Sequence, residues 1–131
     1  MTPAHRPRLP GNGRLLQVVA IAHAIVGAVF YRGELGSIGR DGVAGAVPYR
    51  GPKATAFWFL VPSPLLWIMA RLLNRAEEQG DAEAVRDASR LGLASSLLAV
   101  VCMPVSGFWA WLAISLRGLR DARRMGSRAT P

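Results

Sequence analysis

At 131 residues the chain suits one domain, but with 51% hydrophobic residues, a mean hydropathy of +0.25 and only 18% charged residues it carries less charge than a water-surrounded domain of this size normally displays. The net charge of +8 comes without a nucleic-acid-binding module, and the aromatics lie inside apolar runs, so no nucleic-acid partner is expected. The single cysteine, Cys102, excludes an internal disulfide, a CxxC pair and a thiolate metal cluster, and neither a metal nor a cofactor is expected.

Residues 1–14, rich in proline, glycine and arginine, read as a mobile tail. Residues 15–31 then run without a formal charge, a helix of about 25 Å that spans a bilayer with help from its flanks. Ala22-His23-Ala24 has the form of a signal-peptide cleavage site, but the apolar run continues to Tyr31, so an uncleaved first span is expected. Ala20, Ala24 and Ala28, with Gly27 beside them, are small residues at helical spacing and predict a close helix–helix contact.

Residues 32–55 carry glycine at 33, 36, 39, 42, 45 and 51. Leu35, Ile38, Val43 and Val47 share a face in a helix, so the segment reads equally as a short interfacial helix and as a flexible loop. Glu34, Arg40 and Asp41 form its mixed-charge cluster, either a salt-bridged turn or a cover for a pocket above His23. The second span, 56–73, contains Pro62 and Pro64, which predict a kink near Ser63 and free the carbonyls of Trp58 and Leu60. The helix should continue into water until Gly80, with Asp81 capping the next helix and Glu83–Arg86 and Asp87–Arg90 paired along its solvated face.

Residues 91–116 are uncharged throughout, with Pro104-Val105-Ser106-Gly107 as a turn signal between two spans, 88–104 and 106–120. Two independent patterns favour this division. With four spans, twelve basic residues lie on the side of the termini against four on the other, as the positive-inside rule requires. Phe30, Tyr31, Phe57, Trp58, Phe59, Phe108, Trp109 and Trp111 then come to one level as an outer aromatic belt. The expected architecture is all-α: an integral membrane bundle of four transmembrane helices over residues 15–125, with a tail at 126–131. Both termini are expected on the cytoplasmic side.

Four strings carry a family resemblance: His23-Ala24-Ile25-Val26-Gly27, Gly39-Arg40-Asp41-Gly42, Ala56-Phe57-Trp58-Phe59 and Met103-Pro104-Val105-Ser106-Gly107-Phe108-Trp109. Over roughly residues 15–120 the chain resembles a bacterial family of small four-helix membrane proteins known only as a domain of unknown function. It is more weakly similar in architecture to DoxX-like proteins. The resemblance implies a fold and a membrane location, and no reaction.

His23, at the middle of the first apolar run, is the sharpest candidate for chemistry, because ionisable groups at that depth are costly. Ser63, Ser95 and Ser96 lie at similar depth and complete a candidate intramembrane polar site; the plain alternative is a neutral imidazole bonded to a neighbouring helix. Arg117, Arg120, Arg123 and Arg124 are candidate contacts to anionic lipid, or serve orientation alone. The residues favour a non-catalytic binding or structural membrane protein with the bilayer as partner, and with a lipid-like ligand or a membrane protein beside it. A homo-oligomer is compatible with the small-residue face, although bundle packing uses the same face. A proton-coupled transporter using His23 and a membrane enzyme on a hydrophobic substrate are the rivals. Neither finds an acidic residue in the spans, and no catalytic residue is assigned.

Overall fold

The structure, a computed structural model, describes residues 10–129; the outermost parts of both expected tails lie outside the described residues. Helix α1 runs Asn12–Phe30, α2 Arg32–Arg40, α3 Pro52–Leu60, α4 Pro62–Gln79, α5 Ala82–Cys102 and α6 Phe108–Ala129, and there is no strand among the described residues. Helix α1 therefore starts three residues before the expected Leu15, and α6 continues through most of the expected C-terminal tail.

The breaks between helices have local causes. Tyr31, at φ −105° and ψ 23°, leaves the helical region and separates α1 from α2. Of the two readings of residues 32–55, the helix holds over 32–40 and the loop over 41–51, while 52–55 already belong to α3. Pro62 and Pro64 have no N–H to give. The ladder is interrupted at Val61, two residues before the expected kink at Ser63, while Val61 itself keeps helical angles. Gly80 at φ 72° closes α4 in the left-handed conformation that glycine adopts without a Cβ clash. Asp81 then accepts the amide of Ala84 at 2.9 Å and starts α5, as the sequence predicts. In the 103–107 turn the Trp109 indole donates to the Pro104 carbonyl at 2.8 Å.

Helix α1 packs antiparallel along α4, and α5 along α6. Helix α1 also meets α6, and α4 meets α5, while the pairs α1–α5 and α4–α6 make no close backbone approach. The four long helices thus stand in a square. The described ends of the chain and the Gly80–Asp81 turn lie at one end, the terminal end. Helix α2, its loop and the 103–107 turn lie at the other, the loop end.

The seams mix small side chains with a few larger ones. Along α1, Gly13, Leu16, Ala20, His23 and Gly27 alternate spacings of three and four, the pattern that keeps one face on a partner helix. Opposite them α4 presents Ser63, Leu66, Ala70, Leu73 and Glu77 at the same spacings. A Cβ on Gly13 would lie 2.6 Å from the Asn74 Cα, so the two backbones approach as closely as glycine permits. Between α5 and α6 the seam is Val85, Ser89, Gly92 and Ser96 against Ser115, Gly118 and Ala122, and a Cβ on Gly118 would meet the Ser89 hydroxyl. Of the expected stripe on α1, Ala20 and Gly27 are buried, Ala24 is half-buried and Ala28 is exposed. The seam repeats every seven residues, at 13, 20 and 27, rather than every four. Trp111, expected in the belt, is half-buried and comes up to Gly92 inside the α5–α6 seam.

Most large apolar side chains lie outside, and Leu16, Leu73, Val85, Val100 and Ile114 are the buried exceptions. Val18, Ile25, Phe30, Trp58, Leu65, Leu98, Val101 and Trp109 are each more than half exposed, whereas Ala20, Ala56, Ala70, Ala122, Ser96 and Ser115 are buried. Burial in water sorts side chains the other way. Two helical segments, Asn12–Phe30 and Pro52–Gln79, are long and apolar enough to cross a membrane. The expected third and fourth spans do not reach that standard on their own. Helices α5 and α6 have the length, but their uncharged parts, 91–102 and 108–116, fill only part of it and the remainder is charged.

Candidate functional site

The structure brings His23 and Ser63 together. The His23 Nδ1 lies 2.9 Å from the Ser63 Oγ, and which of the two donates follows the imidazole tautomer. Phe59 stacks flat on the imidazole, with ring centroids 4.4 Å apart and planes 9° apart, and Tyr31 packs against Phe59 at 5.3 Å. Ser63 stands in the first turn of α4 because the prolines on either side fix the chain there, and it is 7% exposed. The imidazole takes this hydroxyl rather than the freed carbonyls of Trp58 or Leu60.

Ser95 and Ser96 do not join them. Ser95 is exposed on the outer face of α5. Ser96 is buried and donates back to the Leu93 carbonyl at 3.2 Å, on a helix that does not approach α1. Similar depth was legible in the sequence, but rotation about the helix axis sends these hydroxyls elsewhere. A Ser–His hydrogen bond is the geometry a nucleophile and base require. Here the ring is held by Ser63 and Phe59, and no carboxylate among the described residues contacts either side chain. What the pair does is tie the middle of α1 to the first turn of α4.

A second polar cluster lies at the terminal end. Helix α1 starts after Gly11, which has no side chain to cap it. The missing acceptor comes from α4: the Glu77 carboxylate accepts the Asn12 amide at 2.8 Å, the Gly13 amide at 3.0 Å and the Asn12 side-chain amide at 2.8 Å. A carboxylate there also complements the positive end of the helix dipole. The Asn12 Nδ2 donates in addition to Asp121 of α6 at 3.0 Å. Arg117 approaches Asp121 at 3.5 Å and donates to the Pro10 carbonyl at 2.8 Å. Asn12 is 1% exposed, so three helices converge on one buried amide, whose Oδ1 has no hydrogen-bond partner. The sequence reading missed this cluster. Its trace in the sequence was a helix start at Gly11 without a capping side chain, together with a lone acid at 121 in an otherwise basic segment.

At the loop end the mixed-charge cluster is rearranged. Asp41 pairs with Lys53, at the start of α3, rather than with Arg40. The ammonium of Lys53, first through its hydrogen bond and then through its charge, holds the Asp41 carboxyl below its ordinary value, with a smaller contribution from Arg40. Arg40 is exposed, and Glu34 is half-buried. Glu34, Ser37, Lys53 and neighbouring glycines and prolines line an open hollow of about 620 Å³ between α2 and α3, which His23 does not line.

The four candidate lipid-contact arginines separate. Arg117 is drawn into the terminal cluster; Arg120, Arg123 and Arg124 are exposed, and Arg123 lines a hollow with Arg86 and Arg90 of α5. Where the four long helices meet, Leu16, Leu73, Ser89, Trp111 and their neighbours leave a void of only about 10 Å³.

A family model described as a family of unknown function, DUF6463, matches residues 8–125 of the chain. No curated protein and no solved structure matches it.

Proposed function

The chain belongs to the DUF6463 family, and from that premise we propose that it is a four-span membrane protein that acts by binding at its perimeter and not by catalysis. One observation carries this reading: small residues, among them Gly13, Ala20, Gly27, Ala70, Gly92, Ser96, Gly118 and Ala122, make up much of the helix seams, with Leu16, Leu73, Val85, Val100 and Ile114 as the larger buried side chains, while most of the large apolar side chains face outward. Hydrocarbon as the surrounding solvent accounts for that inversion, since lipid-facing positions gain nothing from being polar and close packing favours small residues. Helices α5 and α6 stand alongside the two more apolar segments. At 21 and 22 residues each is about 32 Å long, and snorkelling arginines can cover their charged ends.

Three further features support binding over transport or an enzyme. The void on the bundle axis is too small for a ligand. His23 is occupied in tying two helices. The two polar clusters that hold acids lie at the helix ends, where they organise packing. In the proposed orientation the terminal end, with its basic residues, faces the cytoplasm of a bacterial cell membrane, and α2 lies at the outer interface.

Topology reporters test the reading. With reporters active only inside or only outside the cell fused at Pro131 and near Val47, the expected result is a cytoplasmic signal at Pro131 and an external one at Val47. Signals from the same side at both positions would reject four spans.

A further inference from the structure

On the face shared by α5 and α6, towards the terminal end, Arg86, Arg90 and Arg123 surround a hollow of about 330 Å³ with Leu119 as its apolar wall. The sequence pairs Arg86 with Glu83, but the structure makes no such contact. Arg86 is half-buried, and among the described residues neither it nor Arg123 has a hydrogen-bond or ion-pair partner. Arg90 is the only one of the three with an acid beside it, Asp87 at 3.5 Å, in an exposed contact. Three guanidinium groups from two helices, converging without a lining carboxylate, leave positive charge unanswered where the helices could have supplied an acid. Guanidinium forks match phosphate oxygens in shape and charge.

The surroundings specify the rest of the ligand. Arg90 immediately precedes the uncharged run that begins at Leu91. Seven and eleven residues further along the same face of α5 stand Leu97 and Val101, both more than half exposed. On α6, seven and fourteen residues before Arg123, the same face carries Leu116 and Trp109, 41% and 53% exposed. The two stripes run from the arginine hollow towards the loop end, side by side because α5 and α6 are antiparallel neighbours. A cationic cup at one end of a paired apolar track has the dimensions of charge and greasiness that an anionic phospholipid has.

We propose that Arg86, Arg90 and Arg123 form a specific site for the phosphodiester headgroup of an anionic phospholipid, whose acyl chains lie along Leu97, Val101, Leu116 and Trp109. The site rests on the membrane reading above and adds a ligand to it. It also separates Arg123 from Arg120 and Arg124, which are equally exposed but do not line the hollow.

Native mass spectrometry of the full chain in detergent tests the site with defined lipids, dioleoylphosphatidylglycerol and dioleoylphosphatidylcholine. One phosphatidylglycerol should be retained per chain in preference to phosphatidylcholine. R86Q/R123Q should lower that affinity on the order of tenfold, and R120Q/R124Q, which removes the same charge outside the hollow, by less than about twofold. Equal losses in the two double variants would overturn the site in favour of diffuse charge. Inorganic phosphate at the same concentration should not displace the lipid, and displacement would overturn the role of the acyl track. If R86Q/R123Q does not fold, lipid preference and phosphate competition on the unaltered chain still decide, since equal retention of the two lipids rejects the proposal. Failure of the membrane reading shows separately, in the topology reporters.

Discussion

At the terminal end of the bundle, hydrogen bonds join residues 64, 65, 107 and 109 positions apart, through Glu77, Asp121, Asn12 and Arg117. At the loop end the corresponding tie is the Asp41–Lys53 pair, 12 positions apart and exposed. The first set links three helices around a buried amide; the second closes a loop on itself. Contacts of the first kind fix how helices stand against each other, whereas those of the second kind fix only a local turn, so the two ends should respond differently to the same insult.

Glycine substitutions put the largest strain on that comparison. Gly13→Ala places a methyl group against the Asn74 backbone and should cost about 2–3 kcal/mol. Gly36→Ala, in the middle of α2 where only the tip of the Arg40 side chain is near, should instead stabilise by about 0.5 kcal/mol. Thermal unfolding of both variants in detergent reads the difference, and like signs would erase the distinction between the ends. Glu77→Ala should cost about 2 kcal/mol, because two backbone amides and a buried side-chain amide lose a charged acceptor. Hydrogen exchange should rise locally at residues 12–16 and leave α2 unchanged; uniform exchange along α1 would show that the cap is dispensable. The smallest effect belongs to Asp41. Its lowered carboxyl contributes above the ordinary value of 3.8, and the contribution fades as pH falls through the lower folded value. Carbon-13 titration should place its midpoint below 3.8, and Lys53→Met should raise it towards the ordinary value.

The sequence made the terminal end legible only in part. Gly80 and Asp81 announced their turn correctly because a C-terminal glycine and an N-cap aspartate act within a few residues of themselves. His23 and Ser63 were paired by depth alone, which worked because both sit on facing seams. The same argument failed for Ser95 and Ser96, since depth along a helix leaves its rotation undetermined. Ala28 was misplaced for a related reason: a spacing of four and a spacing of seven both pass through Ala20, and only packing against α4 chooses between them. The Glu77 cap was illegible, because a helix end satisfied by another helix leaves no motif of fixed spacing. The all-helical class and the family were legible, and the small-residue seams of α5 and α6 became apparent only once their partners were known.

The borrowed cap also bears on the order in which the chain takes shape. Synthesis delivers Asn12 and Gly13 first, while the carboxylate that will hold them follows 65 residues behind Asn12. Until α4 emerges, the leading turn of α1 has bare amides, and water must serve them. In the membrane reading proposed above, that turn enters hydrocarbon only with a penalty, which puts a stop at the leading end of the nascent first helix. The arrival of Glu77 then turns the same amides into a clasp on the finished bundle.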